Sequence, residues 1–286
     1  MDHAIKGLEE RLPRPRVRVA GGARVRLRDD RGTTRLAELW HHDPVRVLMP
    51  RPVDDVVPHV VVLNTAGGLV GGDAVSVAIE LGPSARALAT GQAAEKVYRS
   101  DGPTVEIANA LSVADGAWLE WMPQETILFE GCRLRRRLTL SLEGRARCLA
   151  AEMVVFGRRA RGETIATARF ADRWDLRRDG RLVWTDALSL GPEAGAQLGA
   201  SFAFGGAAAM ATMVYAGQDA ARHLDAVRAL LAERTGIAAT CLGEILILRA
   251  LAADAAALRR DLAAVWRHLR AEAGGLPARL PRLWHI

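Results

Sequence analysis

Residues 61 to 77 read VVLNTAGGLVGGDAVSV, an apolar run, four glycines and an aspartate, then a second apolar run. Whether that loop cradles phosphate decides the fold class. A phosphate-binding loop needs GxxxxGK[ST] opening a helix. Gly67 and Gly72 have the right separation, but Asp73 and Ala74 stand where lysine and a hydroxyl are required. A carboxylate there repels phosphate, and the run contains no GxG for a dinucleotide site. The following VSVAIEL alternates with period two, placing Val75, Val77, Ile79 and Leu81 on one face, so a strand and not a helix follows the glycines. The stretch is therefore strand, tight glycine turn, strand. On the residues alone two roles for Asp73 stay open: capping the turn through its own backbone, or facing space left for a cation.

Alternation of this kind recurs from Arg16 to about Trp184. VRVAGGARVRLRD reads as a hairpin about Gly21-Gly22, and RWDLRRDGRLVWTDAL as another about Asp179-Gly180. Leu138, Leu140 and Leu142 share one side of the strand before Gly144. The last third changes period. Leu224, Val227, Leu230 and Leu231 form a helical stripe ending at Gly236, and Leu258, Leu262, Val265, Trp266 and Leu269 form a second, with Asp254 as N-cap. Strand-like runs flank the first stripe, giving strand, helix, strand, strand, helix, most of a split βαβ unit. The expected class is mainly β with a smaller helical part, α+β. Residues 1–286 are expected to form one compact domain, strand-rich over about 16–200 and mixed over about 205–286.

The chain of 286 residues is half hydrophobic, enough for a sizeable core. Its net charge of +6 rests almost wholly on arginine, since Lys6 and Lys96 are the only lysines. That balance does not by itself imply nucleic acid. Cys132, Cys148 and Cys241 are far apart and odd in number, pointing to neither a disulfide framework nor a zinc site. The N-terminus lacks the apolar segment of a signal peptide, and residues 200 to 217 read as a buried strand with its approach. A soluble, cytoplasmic protein is expected.

No GxSxG elbow, HExxH or nucleophile with an adjacent base is present, so no catalytic residue is assigned. Arg133, Arg135, Arg136 and Arg137 form a basic run, as do Arg158, Arg159 and Arg161; a β-rich polyanion or nucleic-acid binding module using these runs is the alternative function. Glu125, Glu152 and Asp186 lie in apolar strand contexts, where a carboxylate is paired or bound to a cation. Arginine pairing explains any one of them; several together allow a path for a weakly held divalent ion.

LNTAGGLVGGD, ATGQAAEKVYRS, WLEWMPQETILFEGCRLRRRL, FGRRARGE and the terminal LPRLWHI occur in the order and spacing of the urease accessory protein family UreD, also called UreH. The chain resembles that family from about Arg16 to its end. The resemblance implies a fold of stacked, superhelically arranged β-sheets plus two helices in the C-terminal third. It also implies a non-enzymatic maturation factor that binds urease apoprotein, recruits UreF and through it the GTPase UreG, and helps deliver nickel to the urease active site. No cofactor is expected to be tightly bound; Ni²⁺ is expected in transit through an internal tunnel, past positions matched here by Asp73, Glu152 and Asp186. Glu95 is left out of that path, because pairing with Lys96 or Arg99 accounts for it equally well. The Arg runs and Trp284 are candidates for the UreF contact.

Overall fold

The computed structural model describes residues 18–51 and 56–285. The readings made for the N-terminus, including Val17 in the first hairpin, lie outside them. The strands are β1 (Ala20–Asp30), β2 (Thr33–His42), β3 (Val45–Leu48), β4 (His59–Asn64), β5 (Ala74–Leu81), β6 (Arg86–Gly91), β7 (Glu95–Val97), β8 (Val105–Val113), β9 (Trp118–Met122), β10 (Thr126–Leu128), β11 (Arg133–Leu142), β12 (Arg147–Phe156), β13 (Arg169–Arg178) and β14 (Arg181–Leu190). Then follow α1 (Ala194–Gly199), β15 (Ala209–Ala216), α2 (Leu224–Leu230), β16 (Ile237–Leu242), β17 (Ile245–Ala252) and α3 (Ala255–Glu272). The protein is mainly β.

Two sheets stack face to face. One has seven strands in the order β14-β13-β11-β8-β5-β1-β2, the other ten, with the path β16-β17-β15-β12-β9-β6-β4-β3 and β10 and β7 added beside β12. The centre of each is parallel, because the chain coils: β5, β8 and β11 each leave the first sheet through a short turn and enter the second as β6, β9 and β12. Successive coils are locked turn to turn, the N–H groups of Gly82, Ala114, Glu143 and Asp179 donating to the carbonyls of Leu27, Leu81, Val113 and Leu142. Strands covered on both faces read as apolar runs; β12, parallel to β9, and β15, antiparallel to β12, are both buried almost throughout.

Between the sheets lies a core of alternate residues, among them Val25, Ile79, Leu111, Leu138, Leu140 and Leu119. Behind the larger sheet a second core packs Trp118, Leu149, Met213, Tyr215 and Leu246 against the α3 stripe of Leu258, Leu262, Val265, Trp266 and Leu269. β15, α2, β16 and β17 form the split βαβ arrangement, with β17 antiparallel to both β15 and β16 between them. Asp254 caps α3, accepting a hydrogen bond from the Ala256 N–H at 2.9 Å.

Three details differ from the sequence expectation. Gly21-Gly22 is no hairpin turn: β1 runs straight through it and pairs with β2 and β5. The first glycine is there for close approach, since a Cβ on Gly21 would sit 2.8 Å from Pro44 N and 2.9 Å from Asp43 O. α2 ends at Leu230, short of Gly236, leaving Leu230 on the surface. A third helix, α1, has too short a stripe to register as periodic. The Asp179-Gly180 hairpin is present, both residues having positive φ, the primed geometry that matches strand twist.

Tight packing at the glycine turn gives a stability prediction. A Cβ on Gly71 would lie 2.7 Å from Pro103 O and collide with the Ser100 side chain. Gly71→Ala is expected to cost about 1–3 kcal/mol, read as a lower thermal midpoint; an unchanged midpoint would show that the turn gives way freely.

Candidate functional site

The glycine turn and the strand alternation together build a cavity. Residues of β8, β9, β11 and β12 that face between the sheets are apolar at one end of each strand, but Asn109, Trp121, Arg136 and Glu152 take the same inward phase. They border a cavity of ≈ 260 Å³, lined elsewhere by Gly67 and Gly68, Thr90, the 92–96 segment, Gln124 and Thr126.

At the buried end, Arg136 is the organising cation. Its Nε and Nη2 donate to both oxygens of Asp172 at 2.9 and 2.7 Å, its Nη1 to Thr126 Oγ1 at 3.3 Å, and its Nε lies 3.2 Å from Glu152 Oε2. Glu152 Oε1 accepts from Trp121 Nε1 at 3.3 Å, while Oε2, fully buried, accepts no hydrogen bond. Burial pushes the Glu152 carboxyl up to about 7, against the pull of Arg136 and with a further push from Asp172. For Arg136, burial works against the charge, but Asp172 and Glu152 outweigh it and hold the guanidinium above its ordinary value. At the other end of the cavity Glu95 accepts from Asn64 Nδ2 and from the Lys96 N–H, each at 3.1 Å. Burial raises its carboxyl too, though these hydrogen bonds oppose the rise.

The raised Glu152 carboxyl has a pH consequence with a definite sign. The folded chain keeps a proton that the unfolded chain releases near the ordinary value of 4.5. The resulting stabilisation is complete below that value and is lost as pH rises through about 7. Stability measured by urea unfolding is expected to decline across that window, and Glu152→Gln is expected to flatten it. A decline of equal size in the variant would assign the slope to other groups.

The three carboxylates singled out from the sequence are not gathered together. Glu152 lies in the cavity wall. Asp73 is buried but turned back into the loop, Oδ1 accepting from the Val19 N–H and Oδ2 from the Val70 N–H, both at 2.9 Å. It ties the glycine turn to the start of β1, the capping role left open above. Asp186, on the edge strand β14, pairs with Arg249 of β17 and so clips the two sheets together. Glu125 pairs with Arg259 of α3 at 2.8 Å. Among the described residues, no group of three or more His, Cys, Asp or Glu side chains could hold a metal. The cavity therefore offers two separated carboxylates, Glu95 and Glu152, with amide, hydroxyl and indole groups between.

Glu95 and Arg136 are the members that sequence reading missed. Arg136 was hidden in a basic run, yet it stands two residues before Leu138 in the inward phase of Leu138, Leu140 and Leu142. Its neighbours Arg135 and Arg137 face out, paired with Glu106 at 2.8 Å and Asp175 at 2.6 Å. Arg158 pairs with Glu163 at 2.5 Å. Trp284 is buried, its Nε1 donating to Thr90 Oγ1 and Met122 O at 3.2 Å, so it belongs to the core and not to a partner surface.

A model of the UreD family, described as UreD urease accessory protein, matches residues 19–285. The chain belongs to the UreD family of urease accessory proteins. Curated relatives named urease accessory protein UreD include those of Magnetococcus marinus, 42% identical over 94% of each chain, and of Brucella suis, 40% identical over 96% of each. That of Methylobacterium sp. (strain 4-46) is 44% identical over 88% of this chain and 89% of its own. No helix among the described residues is long and apolar enough to cross a membrane.

Proposed function

We propose that the chain acts in the cytoplasm as a non-catalytic scaffold of urease maturation. It binds urease apoprotein, recruits UreF and through it UreG, and passes nickel toward the urease active site through the cavity between its sheets. The observation that carries the nickel step is the buried Glu152 carboxylate bordering that cavity, whose Oε2 accepts no hydrogen bond and has Arg136 Nε, at 3.2 Å, as its charged neighbour. A divalent ion with part of its water shell is the kind of visitor that such an oxygen, Glu95 and the neutral oxygens of Asn109 and Thr126 would stabilise without trapping, since hard oxygen donors hold Ni²⁺ far more loosely than thiolate or imidazole. Asp73 and Asp186 support this path at one remove, by fixing the glycine turn and the sheet edge. The polyanion alternative has less support, because the outward arginines of β11 are already paired within the chain.

The scaffold role is tested by co-expressing the tagged chain with urease subunits, UreF and UreG and analysing what is retained. Retention of urease and UreF is expected, and of UreG only when UreF is present. Retention of UreG without UreF, or of neither urease nor UreF, would overturn the proposed order.

A further inference from the structure

At the end of the coil where β5, β8 and β11 turn over into the second sheet, a basin separate from the nickel cavity is lined by Ser84, Gly116, Arg145, Arg147, Gln218, Asp219 and Arg222. Two of its arginines are held in place. Arg147 lies 5.3 Å above the Trp118 ring and donates to the Ala273 carbonyl at the end of α3. Arg145 is bound by Asp115 through both its Nη2 and its backbone N–H. The Arg222 guanidinium has no ion-pair partner among the described residues. Of the acids present, Asp115 is spent on Arg145, and Asp219 accepts from Tyr215 Oη at 2.5 Å and lies 3.3 Å from His223 Nε2. Next to the basin, burial and the neighbouring charge of Arg147 hold the Arg86 guanidinium below its ordinary value. Positive charge is thus in excess.

Ser84 supplies the independent observation. It follows Pro83 in a tight turn closed by the Ala85 N–H donating to Gly82 O, and its φ is 61°. That left-handed position favours glycine, and a serine there is strained. Its hydroxyl makes no hydrogen bond within the described residues, so nothing in the fold compensates. Strain kept without local return points to a role for the side chain, and here the hydroxyl sits on the rim of the arginine basin.

We propose that this basin binds an oxyanion, phosphate or carboxylate, with Arg222 and Arg147 supplying the charge and Ser84 a hydroxyl donor. Guanidinium groups fixed in advance bind such anions through paired N–H bonds at little ordering cost. The inference does not depend on the nickel route.

The test uses the full chain and follows its thermal midpoint against sodium phosphate, sodium acetate and, at matched ionic strength, sodium chloride. A saturable rise with phosphate or acetate beyond that with chloride is expected, and the stronger of the two identifies a phosphoryl or a carboxylate ligand. Arg222→Gln is expected to weaken the apparent affinity about tenfold, the loss of one charge-assisted contact. Ser84→Gly is expected to raise the ligand-free midpoint while weakening the anion, a split that a purely structural serine would not give. Arg135→Gln, on the outer sheet face, should change neither. Equal responses to all three salts, or anion responses unaltered in both Arg222→Gln and Ser84→Gly, would overturn the site.

Discussion

Replacing Arg270 by alanine is expected to lower the unfolding free energy by about 3–5 kcal/mol, because it leaves a buried charge without its partner. Arg270 and Glu120 are both fully buried, and Arg270 Nη1 reaches each Glu120 oxygen at 2.5 Å. The same carboxylate accepts from Trp118 Nε1 at 2.8 Å and from Trp266 Nε1 at 2.7 Å. One acid therefore joins β9 to α3, and the Arg270 Nε continues the link to the Pro277 carbonyl at 2.9 Å. With Arg270 gone, Glu120 retains two indole donors, and of the neighbouring cations only Arg86 acts on it, without a direct contact. Urea unfolding followed by tryptophan fluorescence reads the loss directly, since two of the fluorophores touch the carboxylate. Glu120→Leu combined with Arg270→Met is expected to restore part of the loss, as apolar replacement of a whole buried pair often does. A loss below about 1 kcal/mol in the single variant would mean that water reaches the pair and that its charges are screened.

Much of this fold was legible in the residues because burial on one face imposes period two. The strands around Leu138–Leu142, the Asp179-Gly180 hairpin and the α3 stripe could all be located that way. The Gly21-Gly22 turn could not be read correctly: paired glycines mark a turn as readily as a close crossing, and only the approach of Asp43 and Pro44 from elsewhere in the chain distinguishes the two. Nor does period two say which strands are neighbours. The coiling that places β5, β8 and β11 side by side is set by long-range pairing, for which the sequence carries no local signal.

The site was legible in part. Glu152 stood out as a carboxylate amid apolar residues, and it lines the cavity. Asp73 stands out by its place at the end of the glycine loop, yet its carboxylate is occupied by two backbone N–H groups, those of Val19 and Val70. Asp186 carries no sign in its neighbourhood that Arg249 lies opposite. Glu95 reads equally well as a partner of Lys96 or Arg99; it borders the cavity, where Asn64, thirty-one residues earlier, binds its carboxylate.

The second large effect concerns nickel. Glu152→Gln keeps the volume of the side chain and an acceptor for Trp121, but removes the charge from the cavity wall, and Arg136 keeps Asp172 as its partner. The variant is therefore expected to fold and to assemble with urease and its partners. Asp73→Ala is a poorer probe, since it also frees the Val19 and Val70 N–H groups and loosens the turn. The most direct measurement is the nickel content of urease matured in cells with the Glu152→Gln chain, alongside recovery of the assembled complex. Normal complex recovery with nickel reduced roughly tenfold or more is the predicted result. Full nickel loading with intact assembly would contradict the passage of nickel along this cavity.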